Sequence, residues 1–279
     1  MYISRASFEK TGIARVPYPK ELRHAVEKTV ELWEAFTKLP VEVKAALPYH
    51  GSAAGVGYEL KTGNGVSADR KENFDVSVGG EMWLAANRAY IENKIAHNFI
   101  EHAASLVPLI TPFVFDFARE VEERFGFAGF ADEVHDSART FFVRFIHYFA
   151  GSRAGEEIAG AHTDRSGFTL HLFESAGGLQ FFGYDQQWRD LSVNAGETVV
   201  IPAMQMQLRS AGRFRALCHR VVATNESERA GRLSAVCFVE LSRTPVYDKE
   251  KHGRLQEQDV GFNYTMPLQE FTQLFSPRA

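Results

Sequence analysis

Residues 161–173, AHTDRSGFTLHLF, place His162 and Asp164 two positions apart at the head of a run that resembles a buried strand. Imidazole and carboxylate are common metal ligands, and residues i and i+2 of a strand point to the same face, so both side chains can bind one ion. The pair alone carries little weight, because 10 histidines and 35 acidic residues in 279 positions produce about one such pair by chance.

A second histidine, His219, lies in RALCHRVV on a later predicted strand. Two histidines and one carboxylate form the facial triad of non-haem Fe(II) oxygenases, which leaves metal positions open for other ligands. The alternative for each residue is structural: the histidines could be core residues with satisfied hydrogen bonds, and Asp164 could be a turn residue before Arg165.

Thirteen residues after His219 the sequence reads RLS, with Arg232 and Ser234 alternating onto one face of an otherwise apolar strand. A buried arginine needs an anion, and its planar guanidinium binds a carboxylate through two hydrogen bonds, to which a serine hydroxyl adds a third. This pair predicts a site for the far end of a dicarboxylate.

The elements that must position these residues are short strands. From Arg139 onward the runs RTFFVRFIHYF, GFTLHLF, GLQFFGY, ETVVIPA, ALCHRVVAT and GRLSAVCFVEL are rich in β-branched and aromatic residues and are separated by turn residues. Many short strands at regular intervals predict a barrel or jelly roll.

Helices are predicted before and after these strands. Apolar spacing predicts helices over residues 20–39, 82–106 and 108–126, and a last helix in FNYTMPLQEFTQLF. Residues 48–80, rich in glycine, are interpreted as a long irregular stretch. Helices followed by antiparallel strands indicate an α+β chain.

Several of these segments, in this order, resemble a known family: HTDRSGFTLHL, GGLQ, Trp188 followed by GETVVI, GRFRALCHRVV and RLS. They are similar to the isopenicillin-N-synthase-like branch of the Fe(II)/2-oxoglutarate-dependent oxygenases. Looser matches are FTKLPVEVK, GVGYE and DRKENFD, and the similarity extends from Phe36 to Phe271.

The resemblance implies a single oxygenase domain with a double-stranded β-helix, or jelly-roll, core. In this arrangement residues 1–135 form a helical N-terminal part, residues 136–245 form the core with the iron site, and residues 246–279 form a tail with a C-terminal helix.

The resemblance also implies the roles of individual residues. Iron is expected on His162, Asp164 and His219, and 2-oxoglutarate on Arg232, Ser234 and Tyr148. Two positions depart from the relatives: Ile146 stands where they often have asparagine, and Ala203-Met204 replaces their Gly-Asp turn. The first departure removes a polar contact near the cosubstrate, whereas the second affects only a turn.

Strand alternation gives candidates for the substrate pocket. Phe142, Arg144, Ile146 and Tyr148 share a face, so Arg144 points inward if Tyr148 does. An inward arginine indicates a carboxylate or phosphate on the substrate, an internal pair with Asp or Glu, or a position at the open rim of the barrel. Phe142 and Phe168 are the candidates for an apolar pocket wall.

Composition limits the partners. A net charge of −4 with no dense Lys/Arg run disfavours nucleic acid and membrane surfaces as partners and leaves a small molecule. No continuous apolar segment resembles a signal peptide, so a cytoplasmic location is expected. Cys218 and Cys237 lie in apolar runs and are expected to be reduced core thiols.

The leading hypothesis is an oxygenase that uses Fe(II), O2 and 2-oxoglutarate to hydroxylate a substrate C–H bond, with release of succinate and CO2. Desaturation and ring closure are alternative outcomes of the same chemistry. An oxidase that uses no 2-oxoglutarate and a jelly roll that binds ligands without turnover are the competing functions. Residues 48–80 and the tail are expected to form a lid over the barrel mouth; the alternative is that they are an exposed linker and a packing helix.

Overall fold

Two antiparallel sheets form the centre of the computed structural model, which describes residues 3–49, 55–62, 69–77, 92–183, 186–193, 196–245 and 248–252. Eleven strands lie in these ranges: β1 Ala14–Pro17, β2 Gly57–Thr62, β3 Arg70–Ser77, β4 Phe142–Tyr148, β5 Glu157–His162, β6 Phe168–Glu174, β7 Leu179–Phe182, β8 Trp188–Asp190, β9 Glu197–Pro202, β10 His219–Val222 and β11 Arg232–Val239. The major sheet has the order β1-β9-β6-β11-β4-β3-β2, and the minor sheet has the order β5-β10-β7-β8.

The described helices are α1 Arg5–Thr11, α2 Lys20–Thr37, α3 Val41–Lys44, α4 Lys94–Phe125, α5 Phe130–Asp136, α6 Met204–Arg209, α7 Asn225–Ala230 and α8 Lys249–His252. The long helices α2 and α4 cover the outer face of the major sheet. Trp33 of α2 lies with its ring centroid 5.2 Å from that of Phe99 on α4 and 6.3 Å from that of Phe145 on β4. Helices, major sheet and minor sheet thus form three layers.

Strand β6 shows how the sequence divides between the two sides of the major sheet. Phe168, Leu170 and Leu172 are buried in the helical layer. Thr169 and His171 face the minor sheet and line a cavity between the two sheets. This period-2 alternation places apolar side chains in the helical core and polar ones in the cavity.

The α+β fold with a jelly-roll core is confirmed, but the prediction of two helices over 82–106 and 108–126 is wrong in the described part. Residues 94–125 form one helix that runs through Pro108 and Pro112. A proline removes one backbone hydrogen bond, and here the packing of thirteen buried side chains along α4 outweighs that local cost. By length and composition α4 could cross a membrane; its burial in the core accounts for its apolar face.

The interpretation of residues 48–80 as irregular is also wrong where they are described. Strands β2 and β3 pair with each other, and β3 pairs with β4. Residues 72–77 of β3 are all buried, because the strand lies inside the sheet between two covered faces, so no polar–apolar alternation marks it. Residues 253–279, with the predicted C-terminal helix, lie outside the described residues, so the structure does not address the expected lid.

Candidate iron and cosubstrate site

The two strands of the minor sheet that carry His162 and His219 are neighbours. His162 ends β5, His219 begins β10, and the two residues are opposite each other in the β5–β10 pairing. Asp164 follows two residues after β5 ends. One ligand atom from each of the three residues lies within 4.8 Å of the others. The predicted triad is therefore assembled by strand pairing.

The hydrogen bonds around the triad fix which atoms face its centre. The Nδ1 atoms of His162 and His219 lie 2.7 Å and 3.1 Å from the carbonyl oxygens of Gly160 and Leu217. Nδ1 therefore carries the proton and donates, which leaves each Nε2 free to bind a metal. These Nε2 atoms lie 3.6 Å and 3.8 Å from the carboxylate oxygens of Asp164.

A third contact holds the carboxylate. The hydroxyl of Thr169 donates a hydrogen bond of 2.6 Å to Oδ2 of Asp164. Oriented imidazoles and a hydrogen-bonded carboxylate are the outer contacts that metal ligands typically receive. The donor set and its support fit a divalent metal such as Fe(II).

Charge states in the site also suit a metal. Burial lowers the pKa of His162 to about 4, with a further lowering by the neighbouring His219. Burial alone would raise the pKa of Asp164, but His219 and His162 beside it hold that pKa below its usual value. At neutral pH the imidazole of His162 is thus neutral and Asp164 is ionised, the forms in which these side chains bind metals.

The triad opens into a cavity of about 730 Å³ between the two sheets. The other wall is the inner face of the major sheet, which contributes residues from β4, β6 and β11. Arg232, Ser234 and Tyr148 all line this cavity and are only 3–5% exposed. The sequence-predicted iron and cosubstrate residues therefore line the same cavity.

Register places the three predicted cosubstrate residues together. Arg232 lies opposite Tyr148 in the β11–β4 pairing, and Ser234 is two residues further along β11. Among the described residues, the hydroxyls of Tyr148 and Ser234 and the Nη1 atom of Arg232 have no hydrogen-bond partner. These three unpartnered donors on one wall fit a carboxylate group.

Arg232 also has an acidic neighbour that sequence reasoning missed. Its Nη2 atom donates a 2.7 Å hydrogen bond to Glu174, and its Nε donates to the carbonyl oxygen of Ala176 at 3.0 Å. Glu174 reaches the cavity because a bulge lies between its pairing with Ser234 and the pairing of His171 with Val236. The extra residue shifts the alternation, so Glu174 points inward.

The substrate candidates separate into two groups. Phe142 and Arg144 line the cavity, and the ring of Phe142 stacks on Phe238 with centroids 4.9 Å apart. Arg144 forms two hydrogen bonds, of 2.8 and 2.7 Å, to the carboxylate of Asp75. Of the interpretations of Arg144, the internal ion pair is the one that forms.

The prediction that Phe168 forms part of the pocket wall is wrong. Phe168 is fully buried in the helical layer, with ring centroids 5.0 Å from Phe117 and 6.1 Å from Phe130. The turn at Arg165–Gly167 interrupts the strand. Because of this interruption, the alternation that points Asp164 into the cavity does not extend to Phe168 on β6.

Sequence reasoning also missed His171. This residue lines the cavity, is 7% exposed, and has its ring centroid 6.0 Å from that of His219. Burial lowers its pKa to about 3, and the neighbouring His219 lowers it further, so the ring is neutral at physiological pH. Its position two residues after Thr169 on the same strand is the signal that could have identified it.

Comparisons with known proteins agree with this site. Residues 141–241 match the family described as the 2OG-Fe(II) oxygenase superfamily. The 1-aminocyclopropane-1-carboxylate oxidase homolog 5 of Arabidopsis thaliana is 35% identical over 117 residues, which are 41% of this chain and 28% of that protein. Flavonol synthase 3 of the same plant is 34% identical over 104 residues, 37% of this chain and 32% of the relative. The matched stretch thus covers less than a third of these relatives.

Solved structures extend the similarity of the fold to most of the chain. The dioxygenase for auxin oxidation 1 of Arabidopsis thaliana, in complex with 2-oxoglutarate, superposes with a TM-score of 0.70 at 18% identity, covering 90% of this chain and 93% of that one. The rice dioxygenase for auxin oxidation gives a TM-score of 0.68 at 19% identity, with coverages of 92% and 85%. Residues 141–241, the segment that is similar to the 2OG-Fe(II) oxygenase superfamily, include the whole triad together with Tyr148, Arg232 and Ser234.

Proposed function

We propose that this protein is an Fe(II)- and 2-oxoglutarate-dependent oxygenase that acts on a small molecule. The observation that carries the proposal is the combination within one cavity of a two-histidine, one-carboxylate ligand set and a separate group of buried donors without partners. A metal site alone would explain the triad, but it would not explain the free donors of Arg232, Ser234 and Tyr148.

Each residue has a defined task in this proposal. His162, Asp164 and His219 would hold Fe(II), which supplies the oxidising chemistry with O2 when it is bound. Arg232 and Ser234 would bind one carboxylate of 2-oxoglutarate, and the hydroxyl of Tyr148 opposite Arg232 would donate to the same group. Thr169 and the carbonyl groups of Gly160 and Leu217 keep the ligand atoms oriented before the metal binds, which reduces the reorganisation required.

Within the superfamily we assign the chain to the isopenicillin-N-synthase-like branch. The support is the order of HTD, GGLQ, CHRVV and RLS along the sequence, together with the tyrosine opposite the arginine of RLS.

The substrate side of the cavity is aromatic. Phe142 and Phe238 stack on each other, and the guanidinium carbon of Arg144 lies 5.5 Å and 5.4 Å from their ring centroids. Since Asp75 already neutralises Arg144, an acidic group on the substrate is not required for its burial. We therefore expect the substrate to place an apolar or flat part against Phe142 and Phe238.

Succinate release tests the proposal. Purified protein with Fe(II), O2 and 2-oxoglutarate is screened against candidate small molecules, and a true substrate is expected to stimulate succinate formation, with the Asp164→Ala variant as the inactive control. Substrate oxidation without succinate would identify the oxidase alternative. Ligand binding with no metal-dependent oxidation of any compound would instead favour a non-catalytic jelly roll.

A further inference from the structure

His171 occupies an unusual position among the buried polar groups of the protein. In the described part of the chain, five side-chain nitrogen or oxygen atoms have almost no accessible surface and no hydrogen-bond partner: the hydroxyl of Tyr18, Nε of Arg23, Nε1 of Trp33, Oδ1 of Asn73 and Nε2 of His171. Of these five residues only His171 lines the cavity. A buried polar group left unpaired costs about 1–3 kcal/mol, so the position requires an explanation.

The neighbours of His171 locate it between the two halves of the proposed site. Along β6 it lies between Thr169, which holds the triad carboxylate, and Glu174, which holds Arg232. Across the sheet it pairs with Val236, two residues beyond Ser234. A molecule that reaches from the triad to Arg232 passes this imidazole.

The chemistry of 2-oxoglutarate matches the N–H group of an imidazole. Both carboxylates and the keto oxygen of 2-oxoglutarate accept hydrogen bonds, and none of them donates. An imidazole carries at least one N–H donor in either charge state, and the torsion that turns the ring is broad and roughly two-fold, so rotation of the ring can bring the shielded Nε2 to the cavity. With the proton on Nε2, the ring nitrogen that has no protein partner therefore complements the acceptor-only ligand.

We propose that His171 is a cosubstrate-binding residue that donates an N–H hydrogen bond to 2-oxoglutarate between the metal triad and Arg232. This inference rests on the proposed function. It adds a fourth donor to those of Arg232, Ser234 and Tyr148, and it distinguishes His171 from the two metal-binding histidines.

Calorimetric titration of 2-oxoglutarate into anaerobic, Mn(II)-loaded protein tests the role without any turnover. The His171→Leu variant is expected to raise the Kd for 2-oxoglutarate about fivefold to thirtyfold, which corresponds to one lost hydrogen bond. The His171→Gln variant retains an N–H donor and is expected to stay within about threefold of the wild type. His135→Leu is the matched control, because His135 is an exposed histidine on α5.

Titration of Mn(II) alone supplies the second measurement. If His171 binds only the cosubstrate, the Kd for Mn(II) is unchanged in His171→Leu; a large loss of Mn(II) affinity would make His171 a metal ligand and overturn the inference. Equal 2-oxoglutarate affinity in the wild type and in both folded His171 variants would also overturn it. If the wild type binds Mn(II) but no 2-oxoglutarate, the proposed function itself fails, and the inference fails with it.

Discussion

Two groups of buried polar side chains lie on opposite faces of β4 and differ in how they are satisfied. On one face, Glu72 accepts from Lys44 at 2.5 Å and from Tyr58 at 2.7 Å, and Nδ1 of His147 lies 2.8 Å from its other oxygen. We call these four residues the Glu72 cluster. On the other face is the cavity cluster: Tyr148, His171, Arg232 and Ser234.

The two clusters differ in whether the protein itself supplies every hydrogen-bond partner, which distinguishes buried polar groups that stabilise the fold from those that bind a ligand. In the Glu72 cluster both carboxylate oxygens are used by neighbouring side chains, so folding itself compensates for burial of the charge. In the cavity cluster each member keeps a side-chain nitrogen or oxygen without a partner among the described residues. Folding alone leaves these atoms unsatisfied, and a ligand is needed to complete them.

The largest predicted effect concerns the triad. Replacement of Asp164, His162 or His219 by alanine removes a direct metal bond. Loss of a residue that only supports a metal ligand already lowers metal affinity about tenfold to a hundredfold. The loss of Fe(II) affinity in these variants is therefore expected to exceed about a hundredfold. Anaerobic metal titration measures it, and thermal unfolding of the metal-free proteins checks the fold. Asp116→Ala, at an exposed aspartate of α4, is the control. A variant that retains near-normal affinity would remove its residue from the triad.

The Glu72 cluster is predicted to affect stability instead of ligand binding. Glu72→Gln leaves the Lys44 ammonium buried without its charge partner, which is expected to lower the free energy of unfolding by about 3–5 kcal/mol. Denaturant titration measures the change. Glu59→Gln, at a more exposed pair with Lys61, is expected to cost less than about 1 kcal/mol. If Glu72→Gln weakened 2-oxoglutarate binding at unchanged stability, the division between the two clusters would be incorrect.

The same cluster is expected to make stability depend on pH. Burial raises the pKa of Glu72, but hydrogen bonds from His147, Lys44 and Tyr58 bring it below its usual value. A lowered folded-state pKa stabilises the protein above the unfolded-state pKa, and this contribution is lost as the pH falls through the folded-state value. The stability difference between the wild type and Glu72→Gln should therefore be full at neutral pH and shrink in acid. A difference that grows in acid would contradict the assignment.

Sequence reasoning located the parts of the site that depend on local alternation. His162 and Asp164 are two positions apart, as are Arg232 and Ser234, and the structure places each pair on the cavity. Glu174 could not be located in this way because the β6 bulge reverses its side, and Phe168 was misplaced because the preceding turn resets the alternation. Strand β3 was missed because the sheet and helices bury both of its faces, which removes the period-2 signal.

Arg232 is predicted to have the next largest effect on ligand binding. Arg232→Ala is expected to raise the Kd for 2-oxoglutarate tenfold to a few hundredfold, on the order of 1.5–3 kcal/mol for charge-assisted hydrogen bonds. Ser234→Ala should have a smaller effect. Because Arg232→Ala also leaves Glu174 buried without its partner, the double variant Arg232→Met/Glu174→Gln is the matched control for folding. Unchanged affinity in both proteins would exclude Arg232 from the cosubstrate site.

The smallest effect is expected at Glu174. This residue gives Arg232 an acidic protein partner, while Nη1 of Arg232 stays free for a ligand. A ligand carboxylate bound to Arg232 would lie close to the Glu174 carboxylate, and like charges repel most strongly where water is excluded. Glu174→Gln keeps one oxygen to accept from Arg232 at the cost of the hydrogen bond that the other oxygen accepts from the Val193 N–H, and it removes the negative charge, so 2-oxoglutarate is expected to bind about twofold to tenfold more tightly. Glu157→Gln is the control, because it removes the same charge from the cavity wall on the minor sheet, where Glu157 pairs with Arg220. Tighter 2-oxoglutarate binding in both variants would indicate a general charge effect. Weaker binding in Glu174→Gln alone would mean that Arg232 needs Glu174 to hold it in its binding position.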